Sequence, residues 1–152
     1  VGQRFKHRPG VTLSQQDNAD EALDTLNAAM LHYDAHYAAQ TAWKKPLMVS
    51  TVTLQRVIGM ASRTFGRKQA ILGCAEIALT GPVFGGDTLY SESEILEKRE
   101  SRSKPQWGIV KVRTRGVQQE GKVVIDYSRS VMVWKKALAP KKNLFPTIIS
   151  ND

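Results

Sequence analysis

The sequence predicts an α+β domain in which a curved antiparallel sheet wraps around a long central helix. Apolar residues recur at helical spacing before about residue 70 and at alternating spacing after it. Short turn sequences separate the alternating segments, so the strands that they link are expected to be antiparallel. Helices that precede a set of strands, rather than alternating with them, are typical of this fold class. The 152 residues suit one domain with a hydrophobic core.

Three helices are expected in the first part of the chain. Ser14 is expected to start the first helix, and Asp34 to cap a short second helix through residues 38–39. Ser50 or Thr51 is expected to cap the third helix. Apolar residues surround this third helix almost completely, so we expect it to be buried on several sides. The apolar face of the first helix is expected to contain Ala22, Leu23, Leu26 and Ala29.

Four or five strands are expected, four of them after residue 70. Polar and apolar residues alternate along these later segments, and Glu120-Gly121 is typical of a hairpin turn. An early segment around Pro9-Gly10 is expected to add an edge strand. Residues 1–136 are interpreted as one domain and residues 137–152 as a C-terminal tail. The expected strands are residues 4–13, 71–80, 88–99, 107–119 and 122–135.

The chain carries an excess of positive charge. Its formal net charge is +8 and its pI is about 9.8, which favours anionic partners such as nucleic acid, acidic lipid or a phosphorylated ligand. The lysines and arginines are scattered along the chain, and no nucleic-acid-binding motif organises them. A solvated surface with a basic bias explains the charge equally well, so charge alone does not identify a partner.

Composition argues against several other classes of site. The single cysteine, Cys74, excludes an internal disulfide and a cysteine-cluster metal site, and it fits a cytoplasmic location. No histidine–carboxylate spacing suggests a metal site, and we expect His7 and His36 on the surface. No apolar run is long enough to span a bilayer, and no signal segment opens the chain, although it begins with Val1.

His32 is the strongest candidate for acid–base chemistry. An imidazole gives and takes a proton near neutral pH, and Asn27 precedes His32 by five residues. On a continuous helix the two side chains would lie about 140° apart, so they converge only if the chain leaves the helix around residues 28–30. In that case the Asn27 carbonyl could hold a water molecule while His32 takes its proton. A core histidine satisfied by a hydrogen bond is the alternative interpretation.

Ser50 is the second candidate because it opens the third helix. Unpaired backbone N–H groups at a helix start stabilise a developing oxyanion, for instance at a thioester carbonyl. A serine that only caps the helix is the alternative. Asp34 either orients the His32 ring or caps the helix that follows it.

Taken in order, these residues resemble the MaoC-like dehydratases, the hot-dog-fold hydratases that act on enoyl thioesters. The resemblance extends from about Gly2 to Lys136. Each matching motif is short, but their order and spacing together are specific. The motifs are Asn27-x-x-x-x-His32-x-Asp34, Tyr37-Ala38, Lys45-Pro46-Leu47, the following helix with Gly59, and Pro82-Val83-x-x-Gly86-Asp87-Thr88-Leu89.

The resemblance implies a single hot-dog domain that adds water reversibly to a 2-enoyl-CoA thioester. In the (R)-specific enoyl-CoA hydratases of this family the motif is Asp-x-x-x-x-His, and its two side chains hold the water. Carried over to this chain, His32 is the acid–base group and the Ser50 N–H is the oxyanion donor. The aspartate position is Asn27 here, and an amide positions water but does not remove its proton at neutral pH.

A narrower resemblance points to the branch that includes the itaconyl-CoA and mesaconyl-CoA (β-methylmalyl-CoA) hydratases. Members of this branch also carry asparagine ahead of the histidine. The branch implies a short branched or carboxylated acyl-CoA as substrate. Lys45 and Arg63, which flank the third helix, are candidate substrate-binding residues together with Asp34. The matching segments are Arg99-Glu-Ser101-Arg-Ser-Lys104, Gly108-Ile-Val-Lys-Val, Gln118-Gln119-x-Gly121 and Arg129-x-Val131-Met-Val133.

The family resemblance also implies which partners and cofactors to expect. Hot-dog domains pair through their sheets, so a homodimer or higher homo-oligomer is expected, with active sites at the interface. No metal or redox cofactor is expected, because CoA arrives as part of the substrate. Nucleic acid and membrane are not expected as partners. The alternatives are an (R)-specific enoyl-CoA hydratase for general acyl chains, a hot-dog acyl-CoA thioesterase, a polyanion-binding module and a catalytically degenerate family member.

Overall fold

The computed structural model describes residues 1–66 and 68–139 of the chain. In this part the chain forms five β-strands, three α-helices and one short 3₁₀ turn. In chain order the elements are β1 (Arg4–Thr12), α1 (Gln15–Asp24), the 3₁₀ turn (Met30–His32), α2 (Ala35–Ala39), α3 (Ser50–Met60), β2 (Lys68–Leu79), β3 (Thr88–Glu100), β4 (Trp107–Gln118) and β5 (Val123–Trp134).

The five strands form one antiparallel sheet in the order β1-β3-β4-β5-β2. Strands β3, β4 and β5 follow one another in the chain and are neighbours, whereas β1 and β2 occupy the two edges. Gly121 lies in the β4–β5 turn with a φ of +84°, a conformation that glycine adopts without steric cost. The predicted antiparallel sheet and the edge position of β1 are confirmed, with strand ends within three residues of those expected.

Alternation along the strands explains why one face of the sheet is covered. On β4, Val112 and Thr114 are fully buried, while Arg113 between them is exposed. On β5, Tyr127 and Val131 are buried and lie on the same face as each other. The alternation of apolar and polar residues in the sequence therefore indicates which face of the sheet packs against the helices.

Helix α3 lies against the covered face of the sheet. Val52, Thr53 and Val57 are buried there, and a Cβ added to Gly116 of β4 would lie only 2.6 Å from Cγ2 of Val57. The side of this 11-residue helix that carries Gln55 is exposed. The expectation that α3 is buried on several sides is therefore wrong for this chain, because the sheet covers one side only.

The first helix ends earlier than its apolar pattern suggests. Because α1 stops at residue 24, Leu26 and Ala29 lie beyond it, and Leu26 is 90% exposed. Leu23 is exposed as well, so of the four residues expected on the apolar face only Ala22 is buried. The predicted face is wrong apart from Ala22, since the chain leaves the helix before the pattern can complete a second turn.

The predicted start of α1 at Ser14 and the predicted cap of α2 at Asp34 are confirmed. The Ser14 hydroxyl accepts a hydrogen bond from the N–H of Asp17 at 3.0 Å. The Asp34 carboxylate accepts one from the N–H of Tyr37 at 2.9 Å. Each cap satisfies a backbone donor that has no partner within its helix, and so fixes where α1 and α2 begin.

His7 is buried, which corrects the expectation of a surface residue. It is 3% exposed, and its ring nitrogens lie 2.9 Å from Oγ1 of Thr64 and 2.8 Å from Oγ of Ser93. The turn that follows α3 covers the inner side of β1, and local sequence does not show this contact. Burial, reinforced by the positive charge of Arg129, lowers the pKa of His7 below its usual value. His36, by contrast, is exposed as expected.

Two further expectations concern the chain as a whole. Within residues 1–66 and 68–139, no helix combines the length and the apolar character needed to cross a membrane. The predicted C-terminal tail lies outside the described residues from position 140 onward. The predicted domain boundary at residue 136 therefore stays a prediction.

Candidate active site

The ring of His32 has a defined orientation. His32 ends the 3₁₀ turn between α1 and α2 and is half-buried. Its Nδ1 lies 2.8 Å from the backbone oxygen of Leu47. A carbonyl oxygen only accepts hydrogen bonds, so Nδ1 carries the hydrogen and the neutral ring keeps its lone pair on Nε2. The ring is therefore arranged to take a proton at Nε2, and the Leu47 carbonyl stabilises the resulting imidazolium.

Asn27 lies in the connection between α1 and the 3₁₀ turn, where the chain is no longer helical. The helix ends at residue 24, so the departure from helical geometry that convergence with His32 requires has taken place. The Oδ1 atom of Asn27 accepts a hydrogen bond from the N–H of Ala29 at 3.1 Å, which fixes the side-chain amide. Within the described residues no acceptor bonds its Nδ2, so these two hydrogens are available to a water molecule.

The start of α3 has no side-chain cap. Val49 is the N-cap residue and Ser50 is the first helical residue. The first bond of the helix runs from the N–H of Thr53 to the oxygen of Val49 at 3.3 Å. Among the described residues no acceptor bonds the N–H groups of Ser50 and Thr51, which therefore point outward as donors. The expectation that Ser50 or Thr51 caps α3 is wrong, because an apolar residue occupies the cap position.

A buried asparagine joins these two parts of the site, and sequence reasoning missed it. Asn18 of α1 is fully buried. Its Nδ2 donates to the oxygens of His32 and Leu47 at 2.8 and 3.0 Å, and its Oδ1 accepts from the N–H of Val49 at 2.7 Å. One signal could have identified it: Asn18 precedes the buried Ala22 by one helical turn, so a polar side chain lies on the buried stripe of α1.

A cleft opens beside the start of α3. Its volume is about 360 Å³, and its lining includes Ser50 and Thr53 of the helix, Leu47 before it and the exposed ring of Trp43. His32 does not line this cleft, but its ring is bonded to the carbonyl of Leu47, which does. The His32 ring therefore contacts a residue that lines the cleft without lining the cleft itself. Because the residue is half-buried, the ring is not sealed in the core.

The three predicted substrate-binding residues lie in different surroundings. The Asp34 carboxylate caps α2. Lys45 is exposed, with its Nζ 4.3 Å from the centroid of the Phe84 ring. Arg63 lies beyond the far end of α3, a helix that spans about 15 Å from Ser50 to Met60, and within one chain it does not line the cleft. A role for each of them in substrate binding stays a prediction.

Comparison with known sequences identifies a family. The family model described as mesaconyl-CoA hydratase matches residues 1–141. A mesaconyl-CoA hydratase from Cereibacter sphaeroides is 47% identical over 70 residues, which make up 46% of this chain and 20% of that protein. The chain spans between 20% and 37% of the length of the curated relatives that it matches.

Solved structures agree on the fold. A MaoC-like dehydratase from Rhodospirillum rubrum has a TM-score of 0.78 at 22% identity, covering 90% of this chain and 93% of that one. A conserved hypothetical protein from Mycobacterium tuberculosis, described as having a double hotdog fold, has a TM-score of 0.78 at 25% identity, covering 93% of this chain and 43% of that one. The hot-dog fold and the MaoC-like resemblance are confirmed, and the chain belongs to the mesaconyl-CoA hydratase family.

Proposed function

We propose that this protein adds water reversibly to the double bond of a 2-enoyl-CoA thioester whose acyl group is short and branched or carboxylated, such as mesaconyl-CoA. One structural observation supports this most directly. The ring of His32 is bonded to the carbonyl that lies three residues before the uncapped start of α3. A hydrogen bond therefore links the base to the segment that carries the oxyanion donors, and hydration of a thioester requires both groups.

The start of α3 polarises the substrate. The thioester carbonyl oxygen accepts a hydrogen bond from the N–H of Ser50, where the helix dipole also favours negative charge. This withdraws electrons through the conjugated double bond and makes the β-carbon electrophilic. Hydrogen bonds at this oxygen become stronger as the enolate forms, so they stabilise the transition state more than the substrate.

Asn27 binds the reacting water and His32 removes a proton from it. The Nδ2 hydrogens of Asn27 hold the water oxygen, and Nε2 of His32 removes one proton from it. The hydroxide equivalent bonds to the β-carbon while the π electrons move to the α-carbon and the carbonyl. His32 then returns its proton to the α-carbon, which leaves a 3-hydroxyacyl-CoA and a neutral ring. Because only water and protons move, we propose that no metal or redox cofactor takes part.

Positive charge supports an anionic substrate. The net charge of +8 suits the phosphates of CoA and a substrate carboxylate. We propose that Lys45, exposed close to the cleft, contacts CoA, and that Asp34 supports the site by holding the start of α2. Arg63 would reach a cleft only if a second copy of the chain brought the far end of α3 close to it. A cytoplasmic location is proposed together with this intracellular substrate.

We further propose a homodimer that is joined at strand β2. This edge strand has 12 residues and exposes several apolar side chains, including Ile71 and Ile77. An open apolar edge of this length is a pairing surface. The double variant Ile71→Lys, Ile77→Lys is expected to be monomeric by analytical ultracentrifugation, whereas Leu26→Lys, on an exposed residue outside the sheet, leaves the dimer intact. A monomeric wild-type protein would contradict the proposal.

A substrate panel tests the proposed activity. Mesaconyl-, itaconyl- and crotonyl-CoA are each incubated with the protein, while enoyl absorbance and thiol release are followed in parallel. The proposal predicts loss of enoyl absorbance without thiol release, fastest for a branched carboxylated substrate. Faster hydration of crotonyl-CoA would indicate a general (R)-specific hydratase, and thiol release a thioesterase. Salt-sensitive retention on DNA with no turnover would indicate a polyanion-binding module.

A further inference from the structure

Asn18 uses its whole side-chain amide on the backbone around the site. Its Nδ2 reaches the oxygens of His32 and Leu47, with a longer contact of 3.3 Å to Oε1 of Gln15, and its Oδ1 receives the N–H of Val49. The orientation of the amide is fixed by chemistry: a backbone N–H requires an oxygen opposite it, and two carbonyls require a donor. The side chain is fully buried, so water does not compete for these bonds.

Each of the two segments joined by Asn18 has contacts of its own, but few bonds in the described structure link one segment directly to the other. His32 ends a 3₁₀ turn of three residues, and its backbone oxygen also accepts a hydrogen bond from Nε2 of Gln15 at 2.7 Å. Leu47 forms an isolated bridge with Phe84, and the N–H of Met48 donates to the oxygen of Val83 at 2.8 Å. Apart from Asn18, the links between the two segments are the bond from the N–H of Leu47 to the oxygen of Leu31 at 3.2 Å and the His32 ring itself. A shift of about 1 Å in either segment would misplace the base relative to the oxyanion donors.

We infer that Asn18 is a positioning residue for the proposed hydration site: it fixes the His32 tautomer and selects the N–H of Ser50 as the first open donor of α3. This inference depends on the proposed function. The Leu47 oxygen has two lone pairs, and Asn18 and His32 each take one, so the acceptor that sets the His32 tautomer is itself held in place. The Val49 N–H is occupied by Asn18, so an incoming carbonyl oxygen meets Ser50 first.

The Asn18→Asp variant separates these contacts. A carboxylate can still accept from the N–H of Val49, but it cannot donate to the oxygens of His32 and Leu47. We expect the Leu47 carbonyl to turn away from the added charge and the His32 ring to lose its single tautomer. The value of kcat for the best substrate of the panel should fall at least tenfold, with KM changed less than about threefold.

Ala22→Gly is the matched control. Ala22 lies one turn further along the same buried side of α1 and is fully buried, so this change weakens the helix by about 1 kcal/mol without removing a polar contact. We expect Ala22→Gly to lower the Tm while kcat stays within about twofold of wild type. A purely structural role for Asn18 would instead make kcat follow Tm in both variants.

A second readout does not depend on turnover. The chain has three histidines, so ¹⁵N NMR of the ring nitrogens, assigned with His32→Gln, reports the tautomer of His32 directly. At a pH where the ring is neutral, wild type and Ala22→Gly are expected to show hydrogen on Nδ1 alone, and Asn18→Asp a mixture. If Asn18→Asp does not fold, Asn18→Ser is measured in its place.

The two readouts separate the possible failures. A single Nδ1–H tautomer in the Asn18 variant, or a kcat loss no larger than that of Ala22→Gly, would overturn the inference. A wild-type protein with no hydration activity but with a tautomer that changes in the Asn18 variant would overturn the proposed function and leave the positioning of His32 by Asn18 supported.

Discussion

The Nδ1–H of His32 donates a hydrogen bond to the carbonyl oxygen of Leu47 at 2.8 Å. Leu47 lines the cleft and lies three residues before Ser50, the first residue of α3. One bond therefore sets the tautomer of the base and ties the ring to the helix start where the oxyanion donors lie. Of the two roles expected for Asp34, orienting the His32 ring or capping the next helix, the carboxylate has the second, and the Leu47 carbonyl orients the ring.

Replacing His32 removes the proposed proton carrier. We expect His32→Gln to lower kcat by about 10²–10⁴-fold, the usual cost of losing one general acid–base group. His36→Gln is the matched control: His36 is exposed on α2, and a surface change of this kind should alter kcat by no more than about twofold. Steady-state kinetics on the best substrate of the panel measure both, and a His32→Gln enzyme that keeps the wild-type kcat would remove the ring from the mechanism.

Asn27 is proposed to hold the water, and two variants test this. Asn27→Ala removes the Nδ2 donors and also the acceptor for the N–H of Ala29, so kcat should fall at least tenfold, with a stability loss of about 1 kcal/mol. Asn27→Asp keeps an acceptor for Ala29 but replaces the donors with an anionic oxygen. We expect unchanged urea denaturation with a clearly altered kcat. A stability change without a rate change would assign Asn27 to the turn alone.

The sheet could be predicted from the sequence because its signal is local. Alternating residues and turn glycines such as Gly121 lie within a few positions of one another, and they determine which face of a strand is buried. The ends of helices were harder to predict from the sequence. The run that includes Leu26 has helical spacing, but the chain leaves α1 at residue 24, so the spacing continued where the helix did not.

The same distinction between local and distant signals applies to the residues of the site. His32, Asn27 and Ser50 were identified from spacing and from the family resemblance, whereas Asn18 was missed. Its partners are 14 to 31 residues away in the chain, and only the folded backbone brings them within hydrogen-bond distance. The burial of His7 was missed for the same reason, since Thr64 and Ser93 lie 57 and 86 residues from it.

His7 should make stability depend on pH. Its pKa is lowered in the folded state first by burial and then by the positive charges of Arg129 and Arg8, with Glu92 acting in the opposite direction. Below the ordinary value of 6.5 the unfolded chain therefore binds more protons than the folded one, so stability is complete above that pH and is lost as pH falls toward the folded-state pKa. We expect urea denaturation to show a steeper loss for wild type than for His7→Gln between about pH 7 and pH 5. Parallel curves would show that His7 does not contribute.

Alanine substitutions at two glycines test the sheet–helix contact and the helix propensity of α3 separately. A Cβ at Gly116 of β4 would lie 2.6 Å from Cγ2 of both Val57 and Ile125, so Gly116→Ala forces α3 away from the sheet. We expect a loss of about 1–3 kcal/mol in the free energy of unfolding. Gly59 lies within α3 with nothing within 4 Å of its added Cβ, so Gly59→Ala should gain about 0.5–1 kcal/mol. Urea denaturation at one fixed protein concentration, needed because a dimer is proposed, measures both. Because α3 also carries Ser50, Gly116→Ala should lower kcat as well, and a stable, fully active Gly116→Ala protein would show that the helix does not need this close approach.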